Sequence, residues 1–301
     1  MADKQSIWLI INPISGIRHR QDIGLIARTT LDSEQFDVTL RYTEHRGHGA
    51  EIAHEAVEKG IDIVAAVGGD GTINEVASQL VGSETALAIV PNGSGNGLAY
   101  HLQIPINVRK ALQSINDLRT ERLDVGYVNG QPFFSIAGIG FDAKVAYDFE
   151  ADPRRGFNTY FKHIFRDYFH YQPSEYHIEY DGQQLDTQAF FITFANSSQW
   201  GYNVKIAPMA SLHDGRLDVC IVKRPKLFLK LLNVDLPKLL SNRFDRSDIA
   251  QYFDCQKLTI VSKDKHPVYL HIDGDTAGVV EKVEIEIKHQ ALKALIPKNL
   301  E

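Results

Sequence analysis

The chain has 301 residues, 44% hydrophobic and 23% charged, with a net charge of −6. That composition fits one large or two ordinary globular domains and excludes a disordered chain, while the negative balance argues against generic nucleic-acid binding. No apolar run approaches a membrane span, residues 1–6 lack the plan of a secretion signal, and no His/Cys spacing suits zinc. A cytoplasmic protein with two buried thiols, Cys220 and Cys255, is therefore expected.

Residues 7–11 are apolar and read as a buried first strand, closed by the turn Asn12-Pro13-Ile14-Ser15-Gly16. A helix over 21–31, an alternating strand over 36–42 and a helix over 49–59 follow. Residues 61–67 form a β-branched run, 73–81 have helical spacing, and 86–91 make another apolar strand. This alternation predicts an α/β domain with a parallel sheet over 1–124.

Beyond 124 the texture changes. Short strand-like runs at 125–128, 133–137, 176–180, 190–195, 217–222, 257–261 and 268–272 are separated by turn signals such as Asn129-Gly130 and Asp181-Gly182. They predict a mostly antiparallel β-sandwich over 125–290, interrupted by helical insertions near 154–171 and 225–242. The last segment, 291–301, either closes that domain or returns to the first.

Two glycine-rich turns carry the chemistry. Val67-Gly68-Gly69-Asp70-Gly71-Thr72-Ile73-Asn74-Glu75 joins a buried strand to a helix, the place where α/β sheets hold phosphate. Glycine lets backbone N–H groups approach phosphate oxygens. Asp70 makes sense there through Mg²⁺ or as a proton acceptor. Pro91-Asn92-Gly93-Ser94-Gly95-Asn96-Gly97 repeats the device one strand later, so a polyphosphate fits between the two. The turn from Asn12 to Gly16 is either a third edge or a plain turn.

In this order, the pieces resemble the diacylglycerol kinase catalytic-domain family, which includes sphingosine kinases and bacterial lipid kinases. The matching motifs are Asn12-Pro13-Ile14-Ser15-Gly16, the segments 67–75 and 91–96, Leu123-Asp124-Val125-Gly126, Gly138-Ile139-Gly140-Phe141-Asp142 and His271-Ile272-Asp273-Gly274-Asp275. They span nearly the whole chain. The resemblance implies an α/β nucleotide domain of phosphofructokinase and NAD-kinase type, a β-sandwich lipid domain and a cleft site between them. It implies ATP and Mg²⁺, transfer to a lipid hydroxyl of diacylglycerol or sphingoid-base type, and peripheral contact with a membrane surface. The oligomeric state, a homodimer included, is open.

By the same resemblance, Gly68, Gly69, Asp70, Gly71 and Thr72 meet the ATP phosphates. Asn12, Ser15, Gly16, Thr43, Gly93, Ser94, Gly95 and Asn96 line the nucleotide site. Asn74, Glu75, Asp124 and Asp273 are further candidates. Thr43 is equally a capping residue, Asn74 a packing contact, Glu75 a dipole partner of its helix and Asp124 half of a sheet-end salt bridge. Asp70 and Asp275 are the expected catalytic acids and Mg²⁺ ligands. By spacing alone Asp273-Gly274 reads as a hairpin turn. Asp214, in Ser211–Asp218, is a candidate ligand for a structural Mg²⁺ or a plain turn residue.

Three departures stand out: Ile17-Arg18 where bacterial members often carry Lys, Gly97 where they often carry Asp, and Asp275 where Glu is usual. Gly97 brings the second motif nearer the sphingosine-kinase form. An NAD-kinase-like phosphotransferase and a nucleotide-binding regulator without turnover are the alternatives. Two segments are either candidates for the lipid surface or plain structural helices, the first facing the core and the second solvated and packed on the sandwich. One is the aromatic stretch with Phe157, Tyr160, Phe161, Phe165, Tyr168, Phe169 and Tyr171. The other is the basic stretch 223–246.

Overall fold

A computed structural model describes residues 4–16, 22–117, 119–152, 157–201, 203–225, 230–264 and 266–298. The chain divides into two compact units. The first holds Met1–Val125, Gly201–Asn203 and His289–Glu301, and the second holds Gly126–Trp200 and Val204–Lys288.

The first unit is built on β1 (Gln5–Ile11), α1 (Ile23–Thr30), β2 (Phe36–Tyr42), α2 (His48–Glu58), β3 (Ile63–Gly68), α3 (Asp70–Leu80), β4 (Ala86–Pro91), α4 (Gly97–His101), α5 (Val108–Ile115) and the start of β5 (Thr120–Val128). Its strands pair in parallel in the order β2-β1-β3-β4. Ala294, near the C-terminus, pairs in parallel beyond β4 with Leu87. Every residue of β3 and β4 is buried, because α1 and α5 pack together, as do α2 and α3, to cover a parallel sheet. That is why these strands read as unbroken apolar runs.

The second unit is a β-sandwich. Its strands are β6 (Gln131–Phe133), β7 (Ile136–Gly140), β8 (Ser174–Tyr180), β9 (Gln183–Ala189), β10 (Phe191–Ala195), β11 (Gln199–Gly201), β12 (Val204–Lys205), β13 (Leu217–Val222), β14 (Ala250–Cys255), β15 (Lys257–Ser262), β16 (Val268–Ile272), β17 (Asp275–Val280) and β18 (Lys282–Leu295), whose last residues belong to the first unit. One sheet runs β14-β13-β10-β7-β16-β17, all antiparallel. The other pairs β18, β15, β8 and β9 in that order. Phe133, Tyr176, Ile178, Phe194, Leu217, Val219, Leu258 and Ile285 fill the space between them. A separate apolar cluster of Phe141, Tyr168, Phe190, Phe191 and Val222 seats α6 (Phe141–Ala151) and α7 (Phe157–His170).

Several expectations shift. The run expected at 133–137 breaks into β6 and β7, and α3 begins at Asp70 rather than residue 73. The strands β9, β14 and β17, and the helices α5 and α6, were not anticipated. Of the helix expected over 225–242, residues 226–229 lie outside the described residues; the described part holds a π-turn, Leu231–Asp235, running into a short helix, Leu236–Leu240. Both cysteines are free and buried, and burial pushes each thiol up to about 12, so neither is a nucleophile.

Candidate functional site

The strand order β2-β1-β3-β4 sends the chain outward from β1 to β2 and then back past β1 to β3. The direction therefore reverses between β1 and β3, and ligands of open α/β sheets bind at the carboxyl ends of strands at such a point. The turns after β1, β3 and β4 lie there side by side. Asn12 N–H donates to Val67 O at 3.0 Å, Asn92 N–H to Gly68 O at 2.8 Å, and Thr43 N–H, at the end of β2, to Ile11 O at 2.9 Å.

Side chains lock the three turns together. Asn12 Nδ2 donates to Thr72 Oγ1 at 3.1 Å, and Asn92 Nδ2 donates to Ser15 O and Oγ. Each oxygen of Asp70 accepts one N–H from the second glycine turn: Oδ2 from Asn96 at 2.7 Å and Oδ1 from Gly97 at 2.8 Å. Asn96, buried and left-handed, closes that turn on itself. Its Oδ1 accepts from Gly93 N–H and its Nδ2 donates to Gly93 O.

The glycines stand where neighbouring backbone or the Asp70 carboxylate comes too close for a side chain. A Cβ on Gly93 would stand 2.4 Å from Gly69 Cα, and one on Gly95 would stand 2.6 Å from Asp70 Oδ2. A Cβ on Gly16, whose φ is +81°, would stand 2.6 Å from Asn92 O. The excursion at Gly201, absent from the sequence reading, also lies against Gly95, its Cβ position 3.8 Å from Gly95 Cα.

The start of α3 has the geometry that can receive an anion. Asp70 already closes the start of α4. In α3 the Ile73 N–H is bonded to Gly69 O at 3.0 Å, so the amides of 70–72 stand ahead of the helical ladder, where donors and the positive dipole end point outward. Gly71 and Ser94 are exposed beside them. An arrangement of this kind can hold a phosphate.

Other candidate residues have different neighbours. Glu75 does not serve its own helix; its two oxygens accept from Gly47 N–H and Gly49 N–H and so cap α2. Asn74 is half-buried on α3. Asp124 is buried and its Oδ1 takes both His289 Nδ1 and Gln290 N–H at 2.7 Å, which ties the final segment to β5.

In the second unit, the motifs around Gly138 and His271 sit on paired strands, His271 opposite Gly138. His271 Nε2 lies 3.2 Å from Asp142 Oδ2, both buried, and Gly138 makes room for them. Asp273-Gly274 forms the hairpin turn between β16 and β17, with φ of 49° and 91°. The Asp273 carboxylate accepts from Phe134, Ser135 and Ile136 N–H at 2.8–3.0 Å. Asp275 opens β17, exposed. Losing three charge-assisted bonds at once, Asp273→Ala is expected to lower stability by about 2–4 kcal/mol, read as a shifted urea midpoint at unchanged slope.

Asp214 accepts from Arg216 N–H at 3.0 Å, closing an exposed turn. Its neighbour Asp218 was not singled out by sequence. Burial, then the charges of Asp214 and Asp254, push the Asp218 carboxyl from 3.8 up to about 6. The folded state therefore holds this proton more tightly than the unfolded state. The stabilising contribution is full below 3.8 and is lost as pH rises to about 6. Asp218→Asn is expected to flatten that fall, measured by chemical denaturation at a series of pH values across the window.

The aromatic helix is divided. Tyr168 is buried, while Phe165 and Phe169 are 55% and 46% exposed. The side chains of Phe157, Tyr160 and Phe161 lie outside the described residues, as do Ile17, Arg18 and, in the basic stretch, Lys226, Leu227 and Phe228. Arg224 donates to Tyr168 O and Tyr171 O, and Lys230 pairs with Asp248. Among the described residues, no helix is long and apolar enough to cross a membrane.

Comparison with known proteins shows the family of the chain. The family described as "Diacylglycerol kinase catalytic domain" matches residues 6–128, and "YegS C-terminal NAD kinase beta sandwich-like domain" matches 135–296. A Chromohalobacter salexigens protein named "Probable lipid kinase YegS-like" is 30% identical, covering 89% of this chain and 86% of its own. A Bacillus subtilis diacylglycerol kinase is 28% identical, covering 97% and 96%. The crystal structure of a diacylglycerol kinase from Bacillus anthracis superposes with a TM-score of 0.73 over 100% of both chains at 20% identity, a likeness of fold.

Proposed function

We propose, for a chain that belongs to the diacylglycerol kinase and YegS family of lipid kinases, that it transfers the γ-phosphoryl group of ATP to the hydroxyl of a membrane lipid. The observation that carries this reading is the set of interlocked turns at the switch point, beside a helix start whose first-turn amides precede the helical ladder.

Phosphoryl transfer asks a protein mainly for positioning and charge compensation. The amides of 70–72 receive phosphate oxygens, and Asn12, Asn92 and Asp70 hold the three turns at fixed separation. We assign Asp70 to Mg²⁺, which when bound offsets charge on the phosphoryl oxygens. Asp275 is assigned to the acceptor: it takes the hydroxyl proton as the new P–O bond forms and the bond from the γ-phosphorus to its bridging oxygen breaks, releasing ADP. The outer side of α7, with Phe165 and Phe169 exposed beside Lys162, is the face we assign to the lipid surface.

A phosphotransfer screen in mixed micelles tests the proposal, with γ-labelled ATP and diacylglycerol, monoacylglycerol, ceramide, a sphingoid base or NAD⁺ as acceptor. Label in a lipid phosphate supports it. Label only in NAD⁺, or ATP binding without transfer to any acceptor, overturns it.

A further inference from the structure

In the second unit, α6 and α7 pack against each other around a histidine that the kinase reading does not use. His163, on α7, is 6% exposed, and its Nε2 lies 3.1 Å from Asp152 Oδ2. A carboxylate only accepts, so Nε2 is the donor, and in the neutral ring Nδ1 then holds the lone pair. That Nδ1 is buried and has no hydrogen-bond partner. A ring nitrogen of His163 and carboxylate oxygens of Asp148, from α6, and Asp167, one turn along α7, all lie within 4.8 Å of one another.

The cations now present do not complete the cluster. Lys144 Nζ is 2.5 Å from Asp148, and Arg166 reaches Asp148 and Asp167 at 2.6 Å each. Lys144 and Arg166 thus pair with Asp148 and Asp167, and His163 Nδ1 is left without a hydrogen-bond partner among the described residues. Arg166 is half-exposed and can turn to water at small cost.

We propose that Asp148, His163 and Asp167 form a site for a divalent transition-metal ion of the Zn²⁺ class, separate from the phosphate cradle. Imidazole with carboxylates suits such ions. Asp152 takes the part of the outer carboxylate that orients a ligating histidine and fixes its tautomer. Ligand atoms around zinc stand roughly 3.3 Å apart, so the ion would have to draw these groups, now within 4.8 Å of one another, closer together. The bound ion would tie α6 to α7. A second group, His45, His48 and Glu51, lacks these features: it is largely exposed, and His48 Nδ1 already accepts from Glu44 N–H.

The test is titration of the chelator-treated full chain with Zn²⁺ by calorimetry, and with Co²⁺ by visible absorption. Wild type is expected to bind at this site and to melt at higher temperature with Zn²⁺ present. His163→Gln should abolish the Co²⁺ bands, Asp152→Asn should weaken binding about 10- to 100-fold, and Arg166→Gln, which removes the competing cation, should tighten it. The Arg166 variant keeps the ligands, so its tightening is read even if His163→Gln folds poorly. No binding, binding indifferent to both His163→Gln and Arg166→Gln, or an ion lost only in a His45→Gln/His48→Gln variant would overturn the proposal.

Discussion

Asp70→Asn is expected to lower kcat for lipid phosphorylation by about 100-fold or more, while the chain still unfolds cooperatively. Both Asp70 oxygens are engaged, one with Asn96 N–H and one with Gly97 N–H. An amide offers one oxygen and one NH₂, so one of those donors would face another donor. Leaving a donor unmet costs about 1–3 kcal/mol, and the turn can move away to avoid it. The variant also loses the charge assigned to Mg²⁺. Asp70→Glu should not restore the rate, because Gly95 leaves no depth: a Cβ there would already stand 2.6 Å from Asp70 Oδ2. Initial rates with saturating ATP, paired with a urea titration, separate the two effects. Retained activity in Asp70→Asn would contradict the role.

Gly93→Ala should reduce kcat/KM for ATP by about 100-fold, the scale of a displacement near one ångström in a positioned site. The new methyl would stand 2.4 Å from Gly69 Cα, and neither partner is a side chain that can swing aside. The two turns must separate, at about 1–3 kcal/mol of stability. Gly82→Ala is the matched comparison in the same unit. Its φ of +77° carries the left-handed penalty, about 1–2 kcal/mol, yet nothing lies within 4 Å of the added Cβ. Both variants should lose stability, and only Gly93→Ala should lose ATP affinity. Isothermal titration with a non-hydrolysable ATP analogue reads the difference. Equal affinities would show that the contact between the turns does not shape the site.

Buried parallel strands announce themselves, which is why β1, β3 and β4 could be read from the chain. Edge strands do not. β9, β14 and β17 stand at sheet ends, expose one side and carry polar residues such as Gln183, Gln184, Gln251 and Thr276, so their apolar signal is weak. The start of α3 was read three residues late because Gly71 looks like a turn residue, although the first helical turn tolerates it when Asp70 faces the dipole. Within the site, the glycine motifs are local in sequence and legible. The partners of the acids are not: Glu75 reaches 28 residues back to Gly47, and Asp124 reaches 165 residues forward to His289. No pattern of spacing contains those pairs.

ATP phosphates are expected to rest on the first-turn amides of α3, within the frame of the three turns. Amide chemical-shift mapping of the ¹⁵N-labelled chain with a non-hydrolysable ATP analogue and Mg²⁺ addresses it most directly. The largest shifts should fall on 69–72, with smaller ones on 12–16 and 93–97, and should vanish in Gly93→Ala. Saturable binding that leaves the amides of 69–72 unmoved would contradict the account.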